Sequence, residues 1–329
     1  MAENKMKEIT YSQAINDAIS EEMRRDETVF MMGEDIGVYC GAFGVSRGMI
    51  GEFGPERIMD TPIAEQAFVG AAVGAAMTGL RPVVELMFSD FICVCFDELV
   101  NEAAKMRFMF GGRVKVPMVM RTASGAGTGA AAQHSQSLET LLAHFPGLKV
   151  VVPSTPYDAK GLLKTAIRDD NPVMFLEQKK LYKTKGLVPE EEYTIEFGVA
   201  DIKREGKDCT IVTYGRMVQV CLEAADELKK DGIEVEIVDI RTLLPLDTKT
   251  IINSVIKTKH VLIVHEAVQF AGFGGEIAGQ IADSEAFYHL EAPIRRLGAK
   301  STPIPFNPIL EKETFPTAQK IVAQVKDLV

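Results

Sequence analysis

Glu65 is the residue whose position in this chain favours chemistry most clearly. It closes the string DTPIAE, residues 60–65, and a run of small and apolar residues, QAFVGAAVGAAMTGLRP, follows directly. The run predicts a helix that Thr61 can cap, with Pro62 at its first position. Glu65 lies four residues after Thr61, one too many for a capping box, so its carboxylate is free to bind another partner. The alternative is a first-turn glutamate that the helix dipole favours.

Other polar and aromatic side chains follow predicted strands in the first half of the chain. Ligands of open parallel sheets bind at the carboxyl ends of strands, so these positions are candidates for a site. They are Glu34 and Asp35 after VFMM, Asp60 and Glu65 after RIM, residues 88–91 (FSDF) after VVELM, and His134 in the loop after VMRT. Adjacent carboxylates push each other's pKa values apart, which suits acid–base chemistry, but Glu34 and Asp35 can equally cap the next turn.

The segment ASGAGTGAAAQHSQS, residues 123–137, has the composition of a phosphate-binding loop but not its spacing. It fits neither G-x-x-x-x-G-K-[ST] nor a G-x-G-x-x-G after a strand, so we interpret it as a mobile substrate loop. His134 has polar neighbours and suits proton transfer near neutral pH, or a structural hydrogen bond. Phe88 and Phe91 can stack on a planar ligand or pack in the core.

Short β-branched runs alternate with helical patterns along the whole chain. This alternation predicts an α/β fold of two open, mainly parallel-sheet domains with helices on both faces. The polar segment 179–196, which includes KKLYKTKG and PEEEY, interrupts the pattern and is interpreted as a linker. The predicted domains are residues 1–190 and residues 197–329.

Composition excludes several classes of partner. The chain of 329 residues has 36 Lys and Arg against 46 Asp and Glu, an acidic balance that argues against nucleic acid. No stretch approaches the roughly twenty apolar residues of a membrane span. The five cysteines lack a C-x-x-C pair, which favours reduced thiols in the cytoplasm; Cys93 and Cys95 can ligate a metal, but core packing fits them better.

A set of long, collinear strings resembles a known family over nearly the whole chain. They are GED, DTPIAE, GLRPVVE, NEAAKMRFMFGG, AAQHSQS, HFPGLKVVVPSTPYDAKGLL and IRDDNPV. They resemble the beta subunits of thiamine-diphosphate-dependent 2-oxo acid and acetoin dehydrogenases. The resemblance implies a pyrimidine-binding N-terminal domain and a transketolase C-terminal-type domain, in agreement with the two α/β units.

The resemblance also implies roles for four residues. Glu65 corresponds to the glutamate that hydrogen-bonds the aminopyrimidine ring of the cofactor and serves as the proton partner in forming its carbanion. Glu34 extends this hydrogen-bonded network, and Phe91 lies against the pyrimidine. His134 corresponds to a histidine at the substrate mouth, which acts in substrate proton transfer or in acceptance of the lipoyl group.

The diphosphate half of the cofactor site is absent from this sequence. The family's G-D-G motif, with asparagines that hold Mg²⁺, does not occur here. An alpha subunit is therefore expected to complete the site and hold Mg²⁺, in an α2β2 heterotetramer. Some relatives also hold a structural K⁺ through main-chain oxygens, which correspond to Met118, Ala166, Ile167, Asp169 and Asn171.

The leading hypothesis for function is the beta subunit of an acetoin dehydrogenase. This enzyme cleaves acetoin and passes a two-carbon acyl unit to lipoamide on a partner acyltransferase core. The strings RTASGAGTGAAAQHSQSLE and MFSDF resemble the acetoin type most. The alternatives are a beta subunit for pyruvate or branched-chain 2-oxo acids and a non-catalytic assembly partner with the same fold. A free transketolase-like enzyme is disfavoured, because such chains carry their own diphosphate domain.

Overall fold

The computed structural model describes residues 5–329 and divides into two compact units. The first unit consists of the chain as far as Ser124 together with Leu141–Phe197. The second unit consists of Gly125–Thr140 together with Gly198–Val329. The predicted division placed Gly125–Thr140 in the first domain. In the structure, backbone N–H groups of this segment donate to carboxylates of the second unit, which accounts for its grouping there.

The first unit is built around a parallel sheet. The strands of the first unit are β1 (Met6–Thr10), β2 (Val29–Gly33), β3 (Ile58–Asp60), β4 (Arg81–Leu86), β5 (Val119–Ser124), β6 (Lys149–Val151), β7 (Val173–Gln178) and β8 (Lys185–Pro189). Strands β1 and β8 form a separate antiparallel pair. Strands β2 to β7 follow the order β6-β7-β5-β4-β2-β3, and each neighbouring pair is parallel. Strands β5 and β7 are buried along their whole length, as expected for strands covered on both faces.

The helices of the first part of the chain cover this sheet. They are α1 (Tyr11–Arg25), α2 (Met49–Phe53), α3 (Glu65–Met77), α4 (Met106–Met109), α5 (Glu139–Ala143) and α6 (Pro156–Arg168). Helices α1 and α6 pack against each other, and Ile15, Leu163 and Phe175 meet in one apolar core. The Thr155 side chain caps α6 by accepting the N–H of Asp158.

The second unit contains a five-stranded sheet of the order β14-β13-β10-β11-β9. The strands of this unit are β9 (Asp201–Arg204), β10 (Cys209–Thr213), β11 (Val235–Asp239), β12 (Thr242–Leu244), β13 (Val261–Val268) and β14 (Arg295–Ala299). Its helices are α7 (Met217–Lys230), α8 (Thr248–Thr258), α9 (Gly274–Ala282), α10 (Pro308–Thr314) and α11 (Ala318–Lys326). Strand β9 is antiparallel to β11, and the other pairs are parallel. The predicted fold class is confirmed.

Two local predictions were wrong. The segment 179–196 is not a plain linker, since strand β8 lies within it and pairs antiparallel with β1. The helix after DTPIAE begins at Glu65 rather than at Pro62, and Ala64 occupies the cap position without a side-chain hydrogen bond. Thr61 does not cap it, because its N–H donates to the Gly33 carbonyl at 3.0 Å and keeps the chain extended.

None of the helices between residues 5 and 329 combines the length and apolar character needed to cross a bilayer.

Gly147 offers a test of packing in the first unit. It has a φ of +105°, and a Cβ there would lie 2.0 Å from the Ala104 carbonyl oxygen. We expect Gly147→Ala to lower the free energy of unfolding by roughly 3 kcal/mol or more, measured by denaturant titration.

Gly79→Ala is the matched control for this substitution. Its φ of +104° imposes the same backbone strain, but nothing lies within 4 Å of the added Cβ. Equal losses in the two variants would contradict a clash at Gly147.

Candidate active site

Three parallel strands bring the predicted carboxylates of the first unit to one edge of the sheet. Gly33, the last residue of β2, pairs with Asp60 of β3 on one side and with Glu85 of β4 on the other. Glu34 follows Gly33 at this edge, and Glu65 begins α3 five residues after β3 ends. The edge therefore carries Glu34 and Glu65 together, as expected for the carboxyl ends of parallel strands.

Glu34 is a buried carboxylate with an unused oxygen. Glu34 is only 6% exposed, and its Oε1 is inaccessible to solvent and has no hydrogen-bond partner. Burial raises the pKa of Glu34 above its ordinary value, and the nearby charges of Glu65 and then Asp35 raise it further. Glu65 is only half-buried at the first turn of α3. Glu34 thus keeps one buried acceptor oxygen without a donor.

Asp60 has a structural role in this edge. Its Oδ1 accepts the N–H of Gly37 at 2.6 Å and ties down the turn that follows Glu34. A Cβ at Gly37 would lie 2.5 Å from Asp60 Oδ2, so a larger residue there would push the Asp60 carboxylate aside. Asp60 therefore orients the backbone around Glu34 and is not a second free carboxylate.

Phe91 lies in a short 3₁₀ turn, Ser89–Cys93, after β4. It is half-buried and contacts Phe88 edge to face, with ring centroids 6.0 Å apart. Phe88 continues this aromatic contact to Phe43, whose ring stacks on Tyr182 at 4.8 Å. Phe91 thus belongs to a row of aromatic contacts, and its assignment to the pyrimidine ring stays a prediction.

Cys93 and Cys95 do not form a metal pair. Cys95 is buried and Cys93 is exposed, and all five cysteines are free thiols. Burial, Glu98 and Glu65 raise the pKa of Cys95 to about 12, so it stays protonated. No group of three or more His, Cys, Asp or Glu side chains within residues 5–329 is arranged to hold a metal ion.

A buried ion cluster behind this edge was missed by the sequence reasoning. Arg121 is 2% exposed and forms a bidentate pair with Glu177, with N–O distances of 2.8 and 2.6 Å. Its third donor binds Glu85, and the Tyr182 hydroxyl donates to Glu177 at 2.8 Å. Burial raises the pKa of Glu85, which Arg121 only partly offsets. The available signal was a single charge inside each of three apolar strands.

A second acid near Glu65 was also missed. Glu98 begins a π-helix, Glu98–Ala103, that packs against α3, and its Oε2 is buried without a hydrogen-bond partner. A Cβ on Gly70 would lie 3.4 Å from Glu98 Cγ, so this small residue of α3 admits the glutamate. Nothing in the string FDELVNEA distinguishes Glu98 from a solvent-exposed helical glutamate.

The residues predicted for K⁺ lie near the loop between α6 and β7, with Met118 directly before β5. They are Met118, Ala166, Ile167, Asp169 and Asn171. Arg81 donates to the carbonyl oxygens of Ile167 and Asp169 at 3.0 Å each, and Val173 N–H donates to Met118 at 2.9 Å. These oxygens are already acceptors, but a carbonyl has two lone pairs, so each keeps capacity for a further contact.

His134 lies in the second unit, whereas Glu34, Glu65 and Phe91 lie in the first. His134 is half-buried, and its backbone N–H donates to the Ala131 carbonyl at 3.5 Å. A cavity of about 550 Å³ in the second unit is lined by both of its neighbours, Gln133 and Ser135, and by Glu266. The segment of His134 thus borders a half-open cavity large enough for a small molecule.

The raised pKa of Glu34 predicts a pH-dependent stability. The folded state holds the Glu34 carboxyl proton more tightly than the unfolded state. The contribution of Glu34 to stability therefore falls as the pH rises above the ordinary pKa of a glutamate. We expect Glu34→Gln to unfold at a higher denaturant concentration than the parent chain at pH 7.5, and the difference to shrink towards pH 4.

The control for this prediction is Glu56→Gln, a change at an exposed glutamate of the same unit. It should leave the denaturant midpoint unchanged at both pH values. A Glu34→Gln variant less stable than the parent at pH 7.5 would disprove the burial penalty.

Comparison with known protein families assigns both halves of the chain. Residues 7–185 match the transketolase pyrimidine binding domain, and residues 198–321 match the transketolase C-terminal domain. A solved split-gene transketolase, described as an inactive beta4 tetramer, superposes with a TM-score of 0.80 at 23% identity. It covers 97% of this chain and 98% of its own, and it shows the shared fold.

Curated relatives cover nearly the full length. The beta subunit of acetoin:2,6-dichlorophenolindophenol oxidoreductase is 49% identical in Bacillus subtilis and 50% in Cupriavidus necator, with 97% of each chain covered. The pyruvate dehydrogenase E1 beta subunit of Rickettsia felis is 49% identical over 97% of this chain and 98% of its own. The chain therefore belongs to the transketolase-like family of dehydrogenase beta subunits, as the collinear strings predicted.

Proposed function

We propose that this chain is the beta subunit of a thiamine-diphosphate-dependent acetoin dehydrogenase that works only with an alpha subunit. Two relatives named for acetoin are 49% and 50% identical over 97% of the chain, which supports acetoin as the substrate. The reaction cleaves acetoin, releases acetaldehyde and transfers the remaining two-carbon unit to lipoamide of an acyltransferase partner. A 2-oxo acid is the alternative substrate, since the Rickettsia felis pyruvate dehydrogenase subunit is 49% identical.

The unused oxygen of Glu34 is the observation that carries the proposal. Oε1 is buried without a donor, beside a second carboxylate at the edge where a parallel sheet binds ligands. An aminopyrimidine ring offers N–H donors and a planar apolar body. These features fit the two carboxylates and the half-buried ring of Phe91, so Glu34, Glu65 and Phe91 are the residues that would hold this half of the cofactor.

When bound, thiamine diphosphate supplies a nucleophilic carbon that attacks the substrate carbonyl. Glu65 hydrogen-bonds the pyrimidine ring and holds or releases one proton at its carboxyl group. Burial and then the charge of Glu65 raise the pKa of Glu34, which favours the protonated form of Glu34. Asp60 keeps the turn after Glu34 in place through Gly37 N–H, so the acid is positioned before ligand arrives.

His134, in the second unit, is proposed on its own evidence as the group that acts on substrate or on the lipoyl acceptor. Its imidazole suits proton transfer near neutral pH, and its segment borders a cavity of about 550 Å³.

The alpha subunit is proposed to supply the diphosphate and Mg²⁺ site, because this chain has no G-D-G motif. The first unit exposes apolar side chains that a partner would cover: Ile63 is 81% exposed, Tyr39 72% and Phe108 88%. Ala67, Ala71 and Gly74 of α3 are also exposed and permit close helix packing. We propose an α2β2 heterotetramer on these grounds.

Two further assignments concern a structural ion and the location of the protein. K⁺ at the carbonyl oxygens of Met118, Ala166, Ile167, Asp169 and Asn171 is supported by their remaining lone pairs and their place around one loop. A cytoplasmic location is supported by five free thiols.

A substitution at Glu65 tests the proton role. Glu65→Gln keeps the shape of the side chain but removes the acid, so turnover of the alpha–beta complex should fall roughly a hundredfold or more. The melting temperature and assembly with the alpha subunit should be unchanged. Glu56→Gln serves as the control, and near-normal turnover in Glu65→Gln would remove Glu65 from proton transfer.

Cofactor titration separates the enzyme from a non-catalytic assembly partner. The chain alone should not bind thiamine diphosphate with Mg²⁺ at micromolar concentrations, whereas the alpha–beta complex should, as measured by calorimetry. Tight binding by the isolated chain would indicate a free enzyme. A complex that never binds the cofactor would indicate a scaffold.

Substrate choice is tested by the turnover of the complex with thiamine diphosphate, Mg²⁺ and an artificial electron acceptor. The kcat/KM for acetoin should exceed that for pyruvate and for branched 2-oxo acids by at least about tenfold. The reverse order would keep the cofactor assignment and replace the substrate.

A further inference from the structure

Two buried carboxylates of the second unit hold the beginning of the segment that carries His134. The Ala126 N–H donates to Glu266 Oε1 at 2.7 Å, and the Gly127 N–H donates to Glu311 Oε1 at 2.8 Å. Glu266 lies on β13 and Glu311 on α10, and they are 2% and 5% exposed. Hydrogen bonds to buried carboxylates are short and strong, so these two bonds fix the backbone at this point.

The segment needs such anchors because its own backbone is unusual. Gly125, Gly127, Gly129 and Ala131 all have positive φ, from +61° to +90°. Gly125 N–H also donates to the Gln136 carbonyl at 3.1 Å and closes the segment into a loop. His134 lies inside this loop, so the position of its base determines where the imidazole is held.

Glu266 also lies near Glu139, at the other end of the segment. Its Oε2 faces Arg216 at 3.4 Å, while the Tyr214 hydroxyl donates to Glu139 Oε1 at 2.9 Å. Burial raises the pKa of Glu139, and the charge of Glu266 raises it further, so the two carboxylates are close. One buried glutamate thus touches the start of the segment and lies near its end.

We propose that Glu266 is the positioning residue for His134, acting through the Ala126 N–H and the loop that this bond anchors. The inference rests on the proposed function only for its effect on turnover. Nothing else in the mechanism uses Glu266, and its acceptor role is fully satisfied within the second unit.

A double-mutant cycle tests whether Glu266 acts through His134. In the alpha–beta complex, Glu266→Ala should lower kcat about tenfold to a hundredfold, the scale of a misplaced catalytic group. Glu266→Gln keeps an oxygen that can accept the Ala126 N–H, so it should recover most of this loss. In a His134→Ala background, neither change at Glu266 should lower kcat further.

Glu276→Ala is the control, because Glu276 is exposed on α9 and its side chain contacts Gln280. An equal loss of kcat from Glu266→Ala with and without His134 would overturn the proposal, since a general structural role predicts additive losses.

Hydrogen exchange gives a readout that needs no activity. In the assembled complex, Glu266→Ala should speed amide exchange of residues 125–140 at least tenfold and leave exchange of the α7 amides unchanged. Glu276→Ala should leave exchange of both regions unchanged. If Glu266→Ala does not fold, Glu311→Ala removes the acceptor of the Gly127 N–H, should speed exchange at the same loop base, and carries the kinetic cycle with His134→Ala in its place. Unchanged exchange in folded Glu266→Ala, or in Glu311→Ala where that variant replaces it, overturns the proposal. Faster exchange in a complex that turns over no substrate would instead reject the proposed function alone.

Discussion

The parallel register of β2 between β3 and β4 is the constraint on which the candidate site depends. In this register Gly33 faces Asp60 and Glu85 at once, and the next residue, Glu34, leaves the sheet at its carboxyl edge. A Cβ on Gly33 would lie 2.6 Å from the Glu85 carbonyl oxygen, so glycine permits the two strands to approach. A shift by one residue would turn every side chain of β2 to the opposite face and remove Glu34 from Glu65.

The first unit buries carboxylates in two contrasting ways. Glu177 is satisfied by two donors of Arg121 and by the Tyr182 hydroxyl, so its charge is compensated inside the sheet. Glu34 has an oxygen with no donor at all. An unpaired buried acceptor costs stability, and native proteins keep few of them, which makes this residue stand out from the structural cluster behind it. The contrast separates Glu177, whose bonds support the sheet, from Glu34, which keeps an unused acceptor oxygen.

Local patterns in the sequence predicted the sheet strands well, because β-branched runs bounded by helical stretches are determined by nearby residues. The start of α3 was predicted too early, since Pro62 and Thr61 are good local signals but a bond from Thr61 N–H to Gly33 across the sheet overrides them. The strand β8 was missed because its partner, β1, is far away in the chain.

The residues of the candidate site also differ in whether the sequence could predict them. Glu34 and Glu65 could be predicted because each follows a strand that the sequence shows. Arg121 and Glu85 were visible as charges inside apolar strands, but their pairing depends on which strands are neighbours, and composition does not encode that. Glu98 carried no signal, because its burial against Gly70 arises only from the packing of two helices.

The contacts of Gly125–Thr140 give the chain an interleaved order. The polypeptide passes from the first unit to the second after Ser124, returns after Thr140, and leaves again after Phe197. An exchange of genetic material at residue 197 would therefore not transfer a self-contained module. The incoming half would bring its own counterparts of Glu266 and Glu311 to a loop encoded by the other parent. In this chain, residues 125–140 therefore depend on side chains that lie more than a hundred residues further along the sequence.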